Sequence, residues 1–169
     1  MTTITPAETK RDRTVLSNLF ELYLYDFSAI ENEAIGADGR FSRPEMLQPY
    51  WDDPQRHAFL IHYGAAPAGF ALVKRGSALA GDLEAMDLAE FFVLRGLRRA
   101  GVGRQAAQQI FGRFPARWVV RVLGTNAPAL AFWEATIGAY SQGQYVRDHV
   151  RQPADPPRDW AIFRFGASR

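Results

Sequence analysis

The stretch Arg98-Arg99-Ala100-Gly101-Val102-Gly103-Arg104 has the residue types and spacing to do chemistry. It follows the apolar run Phe91-Phe92-Val93-Leu94 and precedes a helix-like run from Gln105 to Phe111. A strand, a glycine-spaced loop and a helix in that order present bare backbone N–H groups to a phosphate. Gly101 and Gly103 carry no side chain to block an anion. Arg95, Arg98, Arg99 and Arg104 raise the local positive potential. The pattern predicts a diphosphate cradle.

Which diphosphate it takes depends on the surroundings. Gly101 to Ala106 formally matches the dinucleotide pattern G-x-G-x-x-G/A. That turn wants its first glycine close to the strand end, but several residues intervene here, three of them arginines. It also wants an acid about 20 positions on for the ribose. Around residue 121 the chain reads Arg-Val-Leu-Gly-Thr-Asn, with no acid. A nucleotide-binding oxidoreductase is therefore disfavoured. The Gly-Lys-Ser/Thr of a phosphate-binding loop and the G-x-S-x-G of a serine hydrolase are both absent from the sequence.

Arg98-x-x-Gly101-x-Gly103 resembles the Q/R-x-x-G-x-G/A motif of the GNAT-type N-acetyltransferase superfamily. Asn126-x-x-Ala129-x-x-Phe132-Trp133 resembles that family's N-x-x-A-x-x-F/L-Y, at the right distance downstream. The matches run from about residue 83 to residue 137. The resemblance implies acetyl-CoA as cosubstrate, with no metal. It implies that backbone groups of Phe91, Phe92 and Val93 pair with the pantetheine arm like an added strand. It gives the pyrophosphate to Arg98, Arg99, Ala100, Gly101, Val102, Gly103 and Arg104, and a pantetheine contact to Asn126. Trp133 stands where the family often has a tyrosine, and counts with the cofactor-binding residues. Bland roles compete: Asn126 also suits a helix N-cap before Pro128, and Phe91, Phe92, Phe132 and Trp133 also suit a core.

Moving an acyl group from a thioester to an amine has three needs. The amine must lose a proton, because an alkylammonium of pKa ~10.4 is no nucleophile. The thioester oxygen must be stabilised as charge develops, and the departing thiolate gains from a proton donor. The resemblance implies that a backbone N–H near Val93 meets the second need. For the base, Leu88-Ala89-Glu90-Phe91-Phe92-Val93 resembles the strand of polyamine acetyltransferases in which acids stand at the substrate amine. Glu90 is the first expectation and Asp87 the second, acting through water; pairing with an arginine such as Arg121 is the competing role for either. The proton donor is a departure from the family, since an indole N–H at Trp133 is a poor donor to a thiolate. Tyr140 or Tyr145, expected on the next strand, are the substitutes; otherwise the thiolate, with a reference pKa of ~8.5, leaves unaided or through water. This departure keeps a non-catalytic acyl-CoA-binding or sensor module as the alternative to an enzyme. His57, His62 and His149 are scattered and read as strand or surface residues.

The elements that must position these groups are readable from periodicity. Thr2 to Thr5 opens as a strand, and Arg11 to Ile30 carries apolar residues at helical spacing. Pro44 opens a short helix through Gln48. Ala58 to Tyr63 and Gly69 to Lys74 form a hairpin around Gly64-Ala65-Ala66-Pro67. Leu83 to Leu94 is a strand whose alternation breaks near Glu90, as a bulge would break it. A helix from Gly101 to Arg113, a strand from Trp118 to Leu123 and a helix from Pro128 to Ile137 follow. Strands at Tyr140 to Val150 and Trp160 to Phe165 close the chain around the loop Pro153 to Pro157. The order suits an α/β (α+β) fold: a mixed, mainly antiparallel sheet of about six to seven strands flanked by about four helices.

Composition sets the outer bounds. The 169 residues fit a single domain over 1–169, and an apolar share of 47% is enough for a real core. A net charge of only +2 argues against nucleic acid as partner. With 0 cysteines, thiol catalysis and thiolate metal sites are excluded. No signal-like or membrane-spanning run is evident, so no membrane partner and a cytoplasmic location are expected. The expected partner is a small-molecule or peptide amine, with a homodimer left open. Glu21, Tyr23, Tyr25, Asp26 and Glu31, with Tyr50 and Trp51, offer acids among aromatics that would suit a cationic amine.

Overall fold

The computed structural model describes residues 1–31 and 34–166. Strand β1 (Thr2–Pro6) leads into the long helix α1 (Lys10–Glu31). Two single-turn helices follow, α2 (Pro44–Leu47) and α3 (Pro49–Asp52). Then come β2 (Arg56–Tyr63), β3 (Ala66–Ser77), β4 (Asp82–Val93), a 3₁₀ turn at Arg95–Leu97, α4 (Val102–Arg113) and β5 (Trp118–Leu123). Helix α5 (Ala127–Tyr140), β6 (Tyr145–Gln152) and β7 (Arg158–Phe165) complete the order. The seven strands make one sheet in the order β1-β2-β3-β4-β5-β7-β6. The pairs β1–β2, β5–β7 and β6–β7 are antiparallel, while β4–β5 is parallel. This is the expected mixed, mainly antiparallel architecture.

Contacts divide the chain into two compact units. The first comprises Met1–Leu72 and Glu90–Gly103. Here Thr9 begins α1 as a reciprocal cap. Its hydroxyl oxygen accepts from the Asp12 N–H at 3.1 Å, and its own N–H donates to the Asp12 carboxylate at 3.2 Å. Those bonds from Thr9 hold the Asp12 carboxyl below its usual range. Leu16, Leu19, Phe20 and Leu24 share one helical face and are buried in a core with Leu60, Phe70, Leu72 and Phe92. At Gly64, φ is +61°, which allows the tight β2–β3 turn. A Cβ at Gly69 would lie 1.9 Å from the Phe92 carbonyl oxygen, so only glycine lets β3 approach the end of β4 this closely.

The second unit comprises Val73–Ala89 and the chain from Arg104 onward. Parallel pairing joins Met86, Asp87 and Leu88 to Trp118, Val119 and Val120. Phe111 on α4 packs edge-on against Trp118 and Phe165, with centroids 5.1 and 4.9 Å apart. Helix α5 runs to Tyr140, where a strand was expected to begin. Tyr140 continues the helical spacing from Trp133 and Ile137 and lays its ring 5.1 Å from that of Phe111. The helix then ends on a left-handed pair, Gln142 (φ +53°) and Gly143 (φ +80°), with the Gly143 N–H bonded to the Gly138 carbonyl at 2.8 Å. Packing of the aromatic ring outweighs the helix-weakening Gly138, worth roughly 1 kcal/mol. Strand β3 runs past the expected Gly69 to Lys74 at both ends, and β4 lies one residue earlier than the expected Leu83 to Leu94. In β4 the expected break of alternation is present, with Ala85 to Leu88 all buried and Ala89 to Phe91 all half-buried.

Candidate active site

In the first unit, Glu90 is half-buried on β4 and accepts a short hydrogen bond from the Tyr23 hydroxyl on α1. The Tyr23 ring stands among Phe20, Phe27, Phe70 and Phe92, at centroid distances of 5.7, 5.5, 5.7 and 6.0 Å. An aromatic collar fixes the phenol, and the phenol aims at the carboxylate. A carboxylate hydrogen bond of this kind is roughly twice as strong as a neutral one.

Beyond Glu90 the strand ends at Val93. The Leu94 N–H donates to the Ala68 carbonyl on β3 at 2.9 Å, and the Val93 carbonyl accepts from Arg98 Nε at 2.8 Å. The chain then makes its 3₁₀ turn and passes through two left-handed residues, Arg99 (φ +66°) and Gly101 (φ +79°). A non-glycine residue at positive φ is uncommon and marks a constrained loop. Helix α4 opens directly after it at Val102. Its first N–H groups have no intrahelical acceptor, so they point out of the helix mouth, where the dipole favours negative charge. Arg98, Arg99, Ala100 and Arg104 are exposed, while Gly101 and Gly103 are half-buried. The chain thus enters a helix start through two left-handed residues, with exposed arginines on the loop.

Asp26 on α1 takes two guanidinium groups. Arg95 reaches its Oδ1 at 2.7 Å and Arg98 its Oδ2 at 2.6 Å. Burial by itself would raise the Asp26 carboxyl, but the hydrogen bonds from Arg95 and Arg98 outweigh it, and the group lies below its usual range. Glu21 behaves similarly. Burial opposes ionisation, yet the Ser42 hydroxyl and the Phe41 and Ser42 N–H groups bind the carboxylate and hold its pKa down. These two acids of the expected acceptor wall thus grip arginines and a loop. Tyr50 and Trp51 stack under Arg56 and Arg13 at 5.4 and 5.0 Å, and Tyr25 is exposed. A cavity of about 240 Å³ in this unit is lined by Ser17, Arg40, Ser42, Arg43, Leu47 and Trp51, among others. Of the expected wall, it includes Trp51 only.

In the second unit, Asp87 is wholly buried and paired with Arg121, whose Nε lies 3.0 Å from Oδ2 and 3.2 Å from Oδ1. Arg121 in turn lies over the Trp160 ring at 5.9 Å. Asn126 caps α5, its Oδ1 accepting the Ala129 N–H at 3.2 Å. The amide NH₂ of that side chain is a separate donor, so capping and ligand binding are chemically compatible. Trp133 is buried, with its ring 4.8 Å from Phe132 and 6.4 Å from Phe111. Tyr140 belongs to the helix, not to the next strand, and the Tyr145 hydroxyl stands 3.5 Å from Glu134. His57 and His62 lie on β2 and His149 on β6. Among the described residues no group of three or more acidic or histidine side chains is placed to hold a metal ion. Nor is any helix among them long and apolar enough to cross a membrane.

Sequence reasoning missed the partnership of Tyr23 with Glu90 and of Asp26 with Arg95 and Arg98. The available signal was helical spacing, since Tyr23 and Asp26 are neighbours at i, i+3 on α1.

No curated protein sequence is significantly similar to the chain. Solved structures share its fold. An acetyltransferase from Thermus thermophilus is 26% identical with a TM-score of 0.68, over 96% of each chain. The ribosomal-protein-S18-alanine N-acetyltransferase from Escherichia coli is 19% identical with a TM-score of 0.62, covering 100% of this chain and 96% of that one. A Salmonella typhimurium structure with acetyl-CoA as its cofactor is 15% identical with a TM-score of 0.64, covering 99% and 95%. The sequence model of the acetyltransferase (GNAT) family matches residues 18–139, a span that includes Tyr23, Glu90, the loop before α4 and Asn126. The chain belongs to the GNAT acetyltransferase family.

Proposed function

We propose that the chain, working as a single domain, transfers acetyl from acetyl-CoA to the primary amine of a small molecule or peptide, with Glu90 as the base. The observation that carries this reading is the path from β4 into α4. The strand ends at Val93, two left-handed residues follow, and the helix mouth opens at Val102. The N–H groups at that mouth take the diphosphate, helped by Arg99 and Arg104. The backbone of Phe91 to Val93 takes the pantetheine arm, and an N–H near Val93 meets the charge that develops on the thioester oxygen.

Glu90, through water, accepts the ammonium proton. The amine nitrogen then attacks the thioester carbon, and the oxyanion so formed collapses and expels the thiolate, while the nitrogen gives its second proton to solvent and leaves a neutral amide. With reference pKa ~8.5, the thiolate takes its proton from solvent. Asp87 is the weaker candidate for the base because its carboxylate is already bonded to Arg121. The Asn126 oxygen caps α5, which leaves its NH₂ group as a donor for the pantetheine contact that the family resemblance assigns to it.

Thiol release from acetyl-CoA across a panel of amines tests the reading. Activity with one amine class and a loss of acetyl-CoA binding in Gly103→Leu, with the circular dichroism spectrum intact, are the expected results. No heat of acetyl-CoA binding in the wild type would sink it.

A further inference from the structure

We propose that Arg98 straps the end of β4 in place and does not bind the diphosphate, and that Asp26 is the positioning residue that sets the strap. The inference rests on the function proposed above. Guanidinium donors lie in one rigid plane, so their directions are fixed together. In Arg98, Nε donates to the Val93 carbonyl at 2.8 Å, and the terminal NH₂ donates to Asp26 Oδ2 at 2.6 Å. Its carbon centre lies 5.6 Å from the centroid of the Phe92 ring. The peptide between Val93 and Leu94 is thereby held at both ends, its oxygen by Arg98 and its N–H by the Ala68 carbonyl.

This peptide follows directly on the strand segment expected to lie along the pantetheine arm, so its orientation sets where the thioester can rest. Asp26 holds the strap with one carboxylate oxygen and Arg95 with the other. Its carboxylate is 18% exposed, less than either arginine, so the tie is partly shielded from solvent. Two arginines of the motif region are therefore engaged by one acid, and the exposed Arg99 and Arg104 supply charge for the phosphates. Asp26 lies one turn beyond Tyr23 on α1, so a single helix steadies both the proposed base and the strand end.

Two variants and two donors separate a strap from a phosphate ligand. Arg98→Lys keeps the cation and loses the rigid fork; Asp26→Asn removes the anchor. S-acetylpantetheine carries the thioester without any phosphate. A strap predicts that each variant lowers kcat/KM by roughly tenfold, and by the same factor on acetyl-CoA and on S-acetylpantetheine. The loss should be insensitive to salt, and the urea midpoint should show that the fold persists. A phosphate ligand predicts that Arg98→Lys keeps most of its activity and that any loss is confined to acetyl-CoA. Either of those results overturns the strap. If the truncated donor is too poor for the wild type, Arg98→Lys with acetyl-CoA decides alone, and an unchanged kcat/KM overturns the proposal. A wild type that releases no thiol from acetyl-CoA overturns the functional reading and this one with it, whereas an active wild type with an unimpaired Arg98→Lys overturns the strap alone.

Discussion

Asp87 and Glu90 stand on one strand, three residues apart, and meet opposite surroundings. Asp87 has no solvent exposure and shares its charge with Arg121. Glu90 is half-buried and receives a phenol from another element. A carboxylate enclosed with a guanidinium is a structural ion pair, expensive to break and inaccessible to a substrate proton. A carboxylate oriented by a neutral donor at a partly open position keeps its access. The comparison teaches that an acid's role is set by its partner and exposure, not by its place in a motif.

The largest expected effect that could break this contrast is catalytic. Glu90→Gln should lower kcat/KM by about 10² to 10⁴, the usual range for loss of a general base, with little change in acetyl-CoA affinity. Thiol-release kinetics beside calorimetry will read both, and a Glu90→Gln protein of full activity would move Asp87 ahead of Glu90. For Asp87→Ala the outcome should be the reverse. Leaving Arg121 buried without its partner should cost about 3 to 5 kcal/mol of stability, read from urea unfolding. Tyr23→Phe should be smaller, and should lower both kcat and the urea midpoint. It removes a hydrogen bond to a charged group, worth about 1.5 to 3 kcal/mol, and should lower kcat while the KM for acetyl-CoA stays put.

Acidification sharpens the contrast further, through the acids of α1. The Asp26 and Glu21 carboxyls lie below their ordinary values in the folded protein. Each therefore adds stability that is fully present above the unfolded value and is lost as pH falls through the folded one. The urea midpoint should drop on going below about pH 4, and an Asp26→Asn, Glu21→Gln double variant should drop less over the same interval. The smallest effect is a control. Thr9→Ala removes the cap of α1 and should cost about 1 kcal/mol without altering kcat, showing that lost stability alone does not mimic lost chemistry.

Much of the fold was legible because its signals are local. Gly101 announces the left-handed turn into α4, and Asn126 before Pro128 announces a helix start. Every such cue lies within a few residues of its consequence. The illegible part is carried by partners far apart in sequence: Tyr23 and Glu90 are separated by 67 residues, and Asp26 and Arg98 by 72. Helical spacing sets Tyr23 beside Leu19 and Phe20 and leaves Tyr25 exposed, but it names no carboxylate for the phenol to meet. Only the tertiary fold brings one phenol to the carboxylate. The misplaced start of the strand after Tyr140 has a related cause. Gly138 reads as a terminator until the ring of Phe111 is there to reward continuing the helix.

Gly69 shows how a position with no functional group can govern reactivity. Even one methyl there would collide with the carbonyl oxygen of Phe92. Gly69→Ala would have to wedge the third strand away from the fourth, displacing the peptide on which the acyl donor is expected to lie. A saturation screen for activity should accordingly rank this residue with Glu90 and the proposed phosphate loop, although it carries no charge.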